Sequence, residues 1–419
     1  MRRAFRLGRL FVAFVTVMVV GAACVSNGSS GNTGGNQRTQ GGGVIKIGVI
    51  GPFSGIAASV GRNMNEGVQI AVNELNAKGG VLGDQIEVVT RDDQFSPAKD
   101  AQVARELVDQ DHVSMIIGPA GTSNYLAIGP FLQQSKVVDL PIVVDPVLRT
   151  HIDPYTFRLM IPDDIELNVL AAYAVKHDSK VAMIAEDDES GHSEIKIAER
   201  EFGKLGSHLV DVEQFSTTAL DLTPLVLKLK QSGADAVILG THIGPYAARI
   251  LTAAQTLGYH PQFLGLAGLT SYTLADLAGN AVSGLIFIAP ATPILTGGAI
   301  PPAARRFYSE YVKQYFPDGI RSASGANKVI GAAFLTYDGV QMWARAATDA
   351  HSADPTAVQR VMNGGFTFGP ADSSADLTWH YDATNHDGFQ QRDAWFFRWV
   401  HDAHGYEFKP LGDAAKLVG

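Results

Sequence analysis

Few residues of this 419-residue chain have types and spacings that would support catalysis. Ser54 lies in the stretch Gly51-Pro52-Phe53-Ser54-Gly55, whose glycines have the wrong spacing for a nucleophile elbow. Asp92-Asp93 could serve as a catalytic carboxylate pair. His401 and His404 have the spacing of one helix face, but they lie in a segment that we interpret as strand and turn, so we expect no metal site. Without a Walker A or His-Glu-x-x-His sequence, we expect no cofactor and no enzyme.

A short polar turn is a better candidate for binding. Ala120-Gly121-Thr122-Ser123 follows an apolar run and precedes a helix that we predict to start near Asn124. Glycine allows a close approach of the backbone, and the free N–H groups and hydroxyls at a helix N-terminus suit a carboxylate. The alternative is that Thr122 or Ser123 only caps the helix.

The lone cysteine, Cys24, suggests where the protein is found. A cationic start, an apolar run over residues 10–20 and Gly21-Ala22-Ala23 precede it. This arrangement resembles a bacterial lipoprotein signal, which implies a signal peptide over residues 1–23 and a lipid on the Cys24 thiol. An ordinary secreted protein with a free cysteine is the alternative, and Arg2-Arg3 leaves the general and twin-arginine export routes open.

The segment after Cys24 predicts a flexible tether. Residues 24–43 are rich in Gly, Ser and Asn, and only Val25 adds an apolar side chain beyond the cysteine. Such a segment cannot bury enough surface to fold. We therefore expect the protein to meet the membrane through its lipid alone.

Length and charge limit what the remaining 44–419 can be. A body of that length suggests two lobes rather than one core. Four of the 33 basic residues precede Cys24, while all 42 acidic residues follow it, so the mature chain is strongly acidic. This charge argues against nucleic acid as a partner.

Apolar runs alternate with helix-period segments along the body. The pattern predicts an α/β fold with two doubly wound parallel-sheet lobes. The predicted strands are 44–50, 86–90, 113–117, 180–186, 208–214, 234–239, 262–265 and 285–288, with strand-like runs at 366–368, 377–381 and 394–400. The predicted helices include 193–205, 221–231, 246–257, 301–315, 327–347 and 355–362.

Four stretches in the first part of the body carry a family resemblance. They are Ile47-Gly48-Val49-Ile50-Gly51-Pro52-Phe53-Ser54-Gly55, Asn73-Glu74-Leu75-Asn76-Ala77-Lys78-Gly79-Gly80-Val81-Leu82-Gly83, Arg91-Asp92-Asp93 and Ile116-Ile117-Gly118-Pro119. In this order and spacing they resemble the leucine/isoleucine/valine-binding family of periplasmic solute-binding proteins, with a type I periplasmic binding fold. In that family, acids such as Asp92-Asp93 help to structure the lobe.

The resemblance implies two lobes joined by three crossover segments, near Pro162, Pro290 and Gly369. Lobe one would comprise 44–162 and 290–368, and lobe two 163–289 and 369–419. It also implies a monomer that is exported to the outer face of the bacterial cytoplasmic membrane. There it would deliver a small organic ligand to the permease and ATPase of an ABC-type importer. A ligand-sensing module is the alternative, and a secreted hydrolase is a distant third.

The site would lie at the carboxyl ends of strands in both lobes. In lobe one we expect Ser54, Ala120, Gly121, Thr122 and Asp145 to bind the ligand. The family uses the turn at 120–123 to hold the ligand carboxylate, with Thr122 at the matching hydroxyl position.

In lobe two the expected ligand-binding residues are Ser190, His242, Ile243 and Ala267. Amino-acid receptors of the family have an acid where this chain has Ala267, and aromatic residues where it has Val60, Ser190 and Ile243. A buried ammonium without a counter-charge is costly. The ligand is therefore expected to be branched-chain amino acid-like or an aromatic or branched carboxylate, with Asp187-Asp188-Glu189 as an alternative source of negative charge.

Overall fold

The structure, a computed structural model, describes residues 42–418 except 147, 149–152, 178, 293–299 and 329–330. Cys24, the predicted signal peptide and nearly all of the predicted tether lie outside the described residues. Within the described part of the chain, none of the helices combines the length and apolar character that a membrane crossing requires.

The smaller sheet belongs to the N-terminal part of the body. Its four strands, all parallel within the described residues, have the order β2-β1-β3-β4. Every residue of β3 and β4 is buried, as expected of parallel strands that are covered on both faces. The strands are β1 Val44–Gly51, β2 Gln85–Asp92, β3 Met115–Ala120 and β4 Val138–Ile142, and the helices are α1 Ala58–Ala77, α2 Pro97–Arg105 and α3 Thr122–Ser135.

The larger sheet follows after Pro162. Its order is β13-β12-β9-β8-β7-β5-β6 across the described strands, with β12 antiparallel to both of its neighbours. The strands are β5 Val181–Glu186, β6 Asp211–Phe215, β7 Ala236–Gly240, β8 Gln262–Gly265, β9 Ile286–Pro290, β12 Ala394–Asp402 and β13 Gly405–Asp413. The helices are α4 Asp163–Lys176, α5 Glu189–Lys204, α6 Thr223–Gln231, α7 Gly244–Thr256 and α8 Tyr272–Ala278.

The chain returns to the first sheet after β9. There α10 packs against α1, and a two-stranded antiparallel ribbon of β10 and β11 follows. The elements are α9 Pro302–Tyr315, α10 Ala333–Asp349, α11 Pro355–Met362, β10 Phe366–Phe368 and β11 Trp379–Tyr381, and the chain ends with α12 Ala414–Val418.

The predicted fold class, two lobes with parallel-sheet cores, is confirmed. The lobe boundaries stay a prediction. The contacts of β11 are relevant to them. Trp379 Nε1 donates a hydrogen bond to Asp338 on α10 at 3.0 Å, and the Tyr381 hydroxyl donates to the Arg158 carbonyl at 2.8 Å. This places β11 against the first lobe, whereas the larger sheet resumes only at Ala394.

Candidate functional site

A cleft between the carboxyl ends of the two sheets collects most of the predicted site residues. Ala120, Gly121, Thr122, Ser190, His242, Ile243 and Ala267 all line it. Other lining side chains include Val60, Asn63, Phe95, Ser123, Asn124, Glu186, Asp188, Glu194, Thr270 and Phe334. The cleft follows the rule that ligands of open α/β sheets bind beyond the strand ends.

The N-terminus of α3 offers unused hydrogen-bond donors to this cleft. The Thr122 side chain is 1% exposed, and its Oγ1 has no hydrogen-bond partner among the described residues. Among the residues that the structure describes, no side chain caps this helix, so the alternative role of Thr122 or Ser123 as an N-cap is not observed. The first-turn N–H groups of an α-helix have no intrahelical acceptor, which suits them to an anion.

Gly121 positions that helix start. Its φ of 94° is unfavourable for other residues, and an added Cβ would lie 3.0 Å from Phe95 Cε2. The Gly121 N–H donates to the Ile142 carbonyl at 3.1 Å. The donors available for an anion are therefore the Thr122 hydroxyl and the amides of the first helical turn, whereas the Gly121 amide is already bonded.

Two predicted residues are not among the described lining of the cleft. Ser54 Oγ donates to Asp92 Oδ2 at 2.6 Å, and Asp92 also accepts backbone N–H groups of Phe53 and Gln94. Burial raises the pKa of Asp92, but these hydrogen bonds together lower it below the usual value. The Asp145 carbonyl accepts a hydrogen bond from Arg158 at 2.6 Å.

The lobe-two side of the cleft contains an acidic cluster, which we define as Asp163, Glu166, Glu186 and Glu194. Glu186 and Glu194 line the cleft, whereas Asp163 and Glu166 project from the first turn of α4. Asp163 Oδ2, Glu166 Oε1 and Glu194 Oε2 are buried without a hydrogen-bond partner among the described residues. Buried carboxylates are normally paired, so three such oxygens in one cluster mark an unusual site.

Burial controls the ionisation of the acidic cluster. It raises the pKa of Glu186 to about 8, although a hydrogen bond from Thr241 lowers it. Burial, followed by the charges of Asp163, Glu186, Asp188 and Glu166, raises the pKa of Glu194 well above its usual range. The pKa values of Asp163 and Glu166 are raised for the same reason. At neutral pH the cluster therefore holds protons.

His242 links the acidic cluster to the loop after β8. Its Nε2 lies 3.0 Å from Asp163 Oδ1, and its Nδ1 accepts the Gly268 N–H at 3.3 Å. A backbone N–H can only donate, so the ring proton belongs on Nε2. Asp163, Glu166 and His242 place potential metal-ligand atoms within 4.8 Å of one another. In this tautomer, however, the nitrogen that faces the carboxylates carries a proton and cannot bind a cation.

The remaining lining residues include some that were not predicted from the sequence. Ala267 presents its backbone N–H to Glu166 Oε2 at 2.7 Å, at the position where the family has an acid. Phe95 and Phe334 supply aromatic surface that was not predicted. Phe95 follows Asp92-Asp93 at a strand end, which is a usable signal, whereas Phe334 and Glu194 lie on helices whose orientation only the fold reveals.

Two sheet lobes define a bilobal ligand-binding protein, because the cleft between them combines apolar walls with a few polar groups. The sequence matches the family described as periplasmic binding protein over residues 44–404, and the chain belongs to that family. The family is extracytoplasmic. The predicted family resemblance is thereby confirmed.

Individual relatives agree with this assignment. The Leu/Ile/Val-binding protein homolog 2 of Brucella abortus (strain 2308) is 29% identical over 321 residues, which cover 76% of this chain and 82% of the relative.

Two solved structures share the fold. One is the branched-chain amino acid transporter substrate binding protein of Streptococcus pneumoniae in complex with isoleucine, with a TM-score of 0.73, 22% identity and coverage of 88% and 99%. The other is a solute binding protein of an ABC transporter from Rhodopseudomonas palustris BisB5 in complex with 3,4-dihydroxybenzoic acid, with a TM-score of 0.73, 19% identity and coverage of 89% and 99%.

Proposed function

We propose that this protein is a solute receptor that captures a small organic carboxylate and delivers it to an ABC-type importer. The observation that carries the proposal is the N-terminus of α3, where a buried, unpartnered Thr122 hydroxyl and uncapped amides face the cleft. A ligand carboxylate would accept these hydrogen bonds and gain from the helix dipole.

The relatives support the choice of ligand class. Isoleucine and 3,4-dihydroxybenzoic acid, the ligands of the two solved structures, both carry a carboxyl group attached to a compact hydrocarbon framework. In this chain, Val60, Ile243, Phe95 and Phe334 would contact such a body. The ligand is therefore a branched-chain amino acid-like molecule or an aromatic or branched carboxylate, which the protein binds as a monomer and does not convert.

Replacing Thr122 with valine tests the carboxylate site. The change keeps the β-branched shape and removes the hydroxyl donor. We expect it to weaken binding by about 1.5–3 kcal/mol, the range for a hydrogen bond to a charged group. A thermal-shift screen of amino acids, aromatic acids, amides and short peptides would supply the ligand, and calorimetric titration would measure its Kd.

The matched control is Thr252→Val, at an exposed position of α7. It should bind the ligand like the wild type. Equal affinity of the wild type and Thr122→Val for a carboxylate ligand, or a ligand whose amide analogue binds as tightly, would contradict the carboxylate assignment.

The attachment to the membrane is a separate part of the proposal. We propose that Cys24 carries a lipid and that residues 24–43 tether the body to the outer face of the membrane. The variant Cys24→Ala should move from the membrane fraction to the soluble fraction while keeping its thermal unfolding temperature. Unchanged retention of this variant in the membrane fraction would refute the anchor.

A further inference from the structure

The acidic cluster has no role in holding a carboxylate, and two of its members, Glu186 and Glu194, line the same cleft. Glu194 is 1% exposed, and Glu186 is 6% exposed. Glu194 Oε1 accepts only a long hydrogen bond from Ser190, at 3.3 Å, and its Oε2 has no partner among the described residues. An ordinary structural acid at such depth would be satisfied by several donors.

We propose that this cluster is the cation-binding half of the cleft, in which Glu194, with Glu186 and Asp163 beside it, accepts a cationic nitrogen of the ligand in exchange for protons. The inference rests on the proposed function, because it concerns the same ligand and the same cleft. It narrows the ligand to a carboxylate that also carries an ammonium or a similar group. It also assigns the counter-charge to positions other than Ala267, where the family has an acid and this chain has none.

The geometry favours a cation over other occupants. Two of the carboxyl groups lie close to the same ring nitrogen of His242. Its Nε2 is 3.0 Å from Asp163 Oδ1 and 3.9 Å from Glu194 Oε1. No lysine or arginine is among the described residues that line the cleft. The guanidinium that lowers the pKa of Asp163 is that of Arg158, which is itself paired with Asp387 at 2.7 Å. A buried group of acids without a cationic partner binds either protons or a cation.

The two halves of the cleft lie on opposite lobes. Thr122 begins α3, whereas Glu194 lies in the second turn of α5, and these two helices contact each other across the cleft. A ligand with both charges would bridge the lobes, since its anion would contact α3 and its cation would contact Glu194. Each charge would thus meet its complement in a partly desolvated site.

Proton exchange predicts the direction in which the ligand affinity changes with pH. The titratable groups that face Glu194 are Asp163 and Glu166 on α4, Glu186 and Asp188 before α5, and His242 after β7. The raised pKa values mean that the empty cluster is protonated at neutral pH. A bound cation favours the ionised form of the carboxyl groups, so binding releases protons and the affinity rises with pH while the empty cluster is protonated.

The test compares matched ligands that differ only in the amino group. Leucine is paired with 4-methylpentanoate, isoleucine with 3-methylpentanoate and phenylalanine with 3-phenylpropanoate. The panel also includes 3,4-dihydroxybenzoate. Calorimetric titration in two buffers of different ionisation enthalpy, at about pH 6 and about pH 8, gives both the Kd and the protons released. We expect at least one amino acid to bind about tenfold or more tightly than its deaminated partner, with proton release and a higher affinity at the higher pH.

Glu194→Gln removes the charge with little change in shape, and Glu199→Gln changes an exposed acid on the same helix as a control. We expect Glu194→Gln to abolish the preference for the amino group and to reduce proton release, and Glu199→Gln to change neither. The number of protons that the wild type releases tests the inference even if Glu194→Gln fails to fold.

Three results would overturn the inference. If deaminated acids or 3,4-dihydroxybenzoate bind as tightly as the amino acids, without proton release, the cluster is not a cation site, although the proposed carboxylate receptor stands. If Glu194→Gln keeps the full preference for the amino group, the counter-charge lies elsewhere. Failure of the whole panel to bind would contradict the proposed function and this inference together.

Discussion

Buried acids such as Glu186 make the ligand-free protein sensitive to pH. The folded state holds a proton on Glu186 up to a pKa of about 8, whereas the usual value is 4.5. A group whose pKa is higher in the folded than in the unfolded protein stabilises the fold at pH values below its unfolded pKa. This contribution is lost as the pH rises through the pKa of the folded state. The buried acids Asp100, with a pKa of about 8, and Asp338, with a pKa of about 6, act in the same direction because burial raises both values.

We therefore expect the free energy of unfolding of the ligand-free protein to fall between pH 4.5 and about 8. Glu186→Gln should reduce this fall by at least about 1.4 kcal/mol, the free energy of one pKa unit. Urea unfolding at several pH values measures the effect, and Glu199→Gln is the control. A stability that is constant or rising over this range would show that the cluster is not protonated when empty.

The site residues that the sequence predicted are those with a local signal. The sequence places Gly121 and Thr122 at the cleft, which both line, because a turn between a strand and a helix has a recognisable composition and the strand end fixes its place in the fold. Glu194 was not found, because a buried acid within a helical segment looks like any surface acid until the packing of α5 is known. His242 was placed in the cleft, but its tautomer depends on Gly268, which is distant in sequence.

At the scale of elements, the close packing of α1 on α10 supports the first lobe. A Cβ added to Gly67 would lie 2.0 Å from the Ala333 carbonyl oxygen, and the Thr336 hydroxyl donates to the Met64 carbonyl at 2.8 Å across the same contact. The two helices can approach this closely only because residue 67 is glycine.

Gly67→Ala should therefore destabilise the protein by about 1–3 kcal/mol, the usual range for overpacking. Gly203→Ala is the matched control in α5, since an added Cβ there meets no atom within 4 Å. It should be neutral, or stabilising by about 0.5–1 kcal/mol, because alanine favours the helix. The midpoints of urea unfolding measure both, and equal midpoints for the two variants would mean that α1 and α10 do not pack closely.

The predicted elements that the structure reproduces are mostly those with strong periodicity. β8 and α11 match their predicted bounds, because a short apolar run after Pro261 marks β8 and the capping residue Asp354 marks the start of α11. β13 was not predicted, since Pro410 and flanking glycines disfavour a strand, and it forms only through its pairing with β12 at the sheet edge. α4 was also not predicted, although Pro162 precedes it and acids occupy its first turn.

At the scale of the whole molecule, the proposed function depends on two lobes that bind one small ligand between them. Several chain segments pass between the lobes, including those that follow β4 and β9 and the one that precedes β12. Multiple connections of this kind restrict twisting and allow the lobes to hinge. A ligand that contacts both α3 and α5 would favour the closed arrangement, because only there are both contacts made.

Small-angle X-ray scattering of the body, with and without a saturating ligand identified by the thermal-shift screen, would show whether the lobes close. We predict that the ligand decreases the radius of gyration of the wild type, and that Thr122→Val needs more ligand to reach the same decrease. A radius of gyration that stays unchanged while calorimetry shows the wild type saturated would contradict a receptor that closes on its ligand.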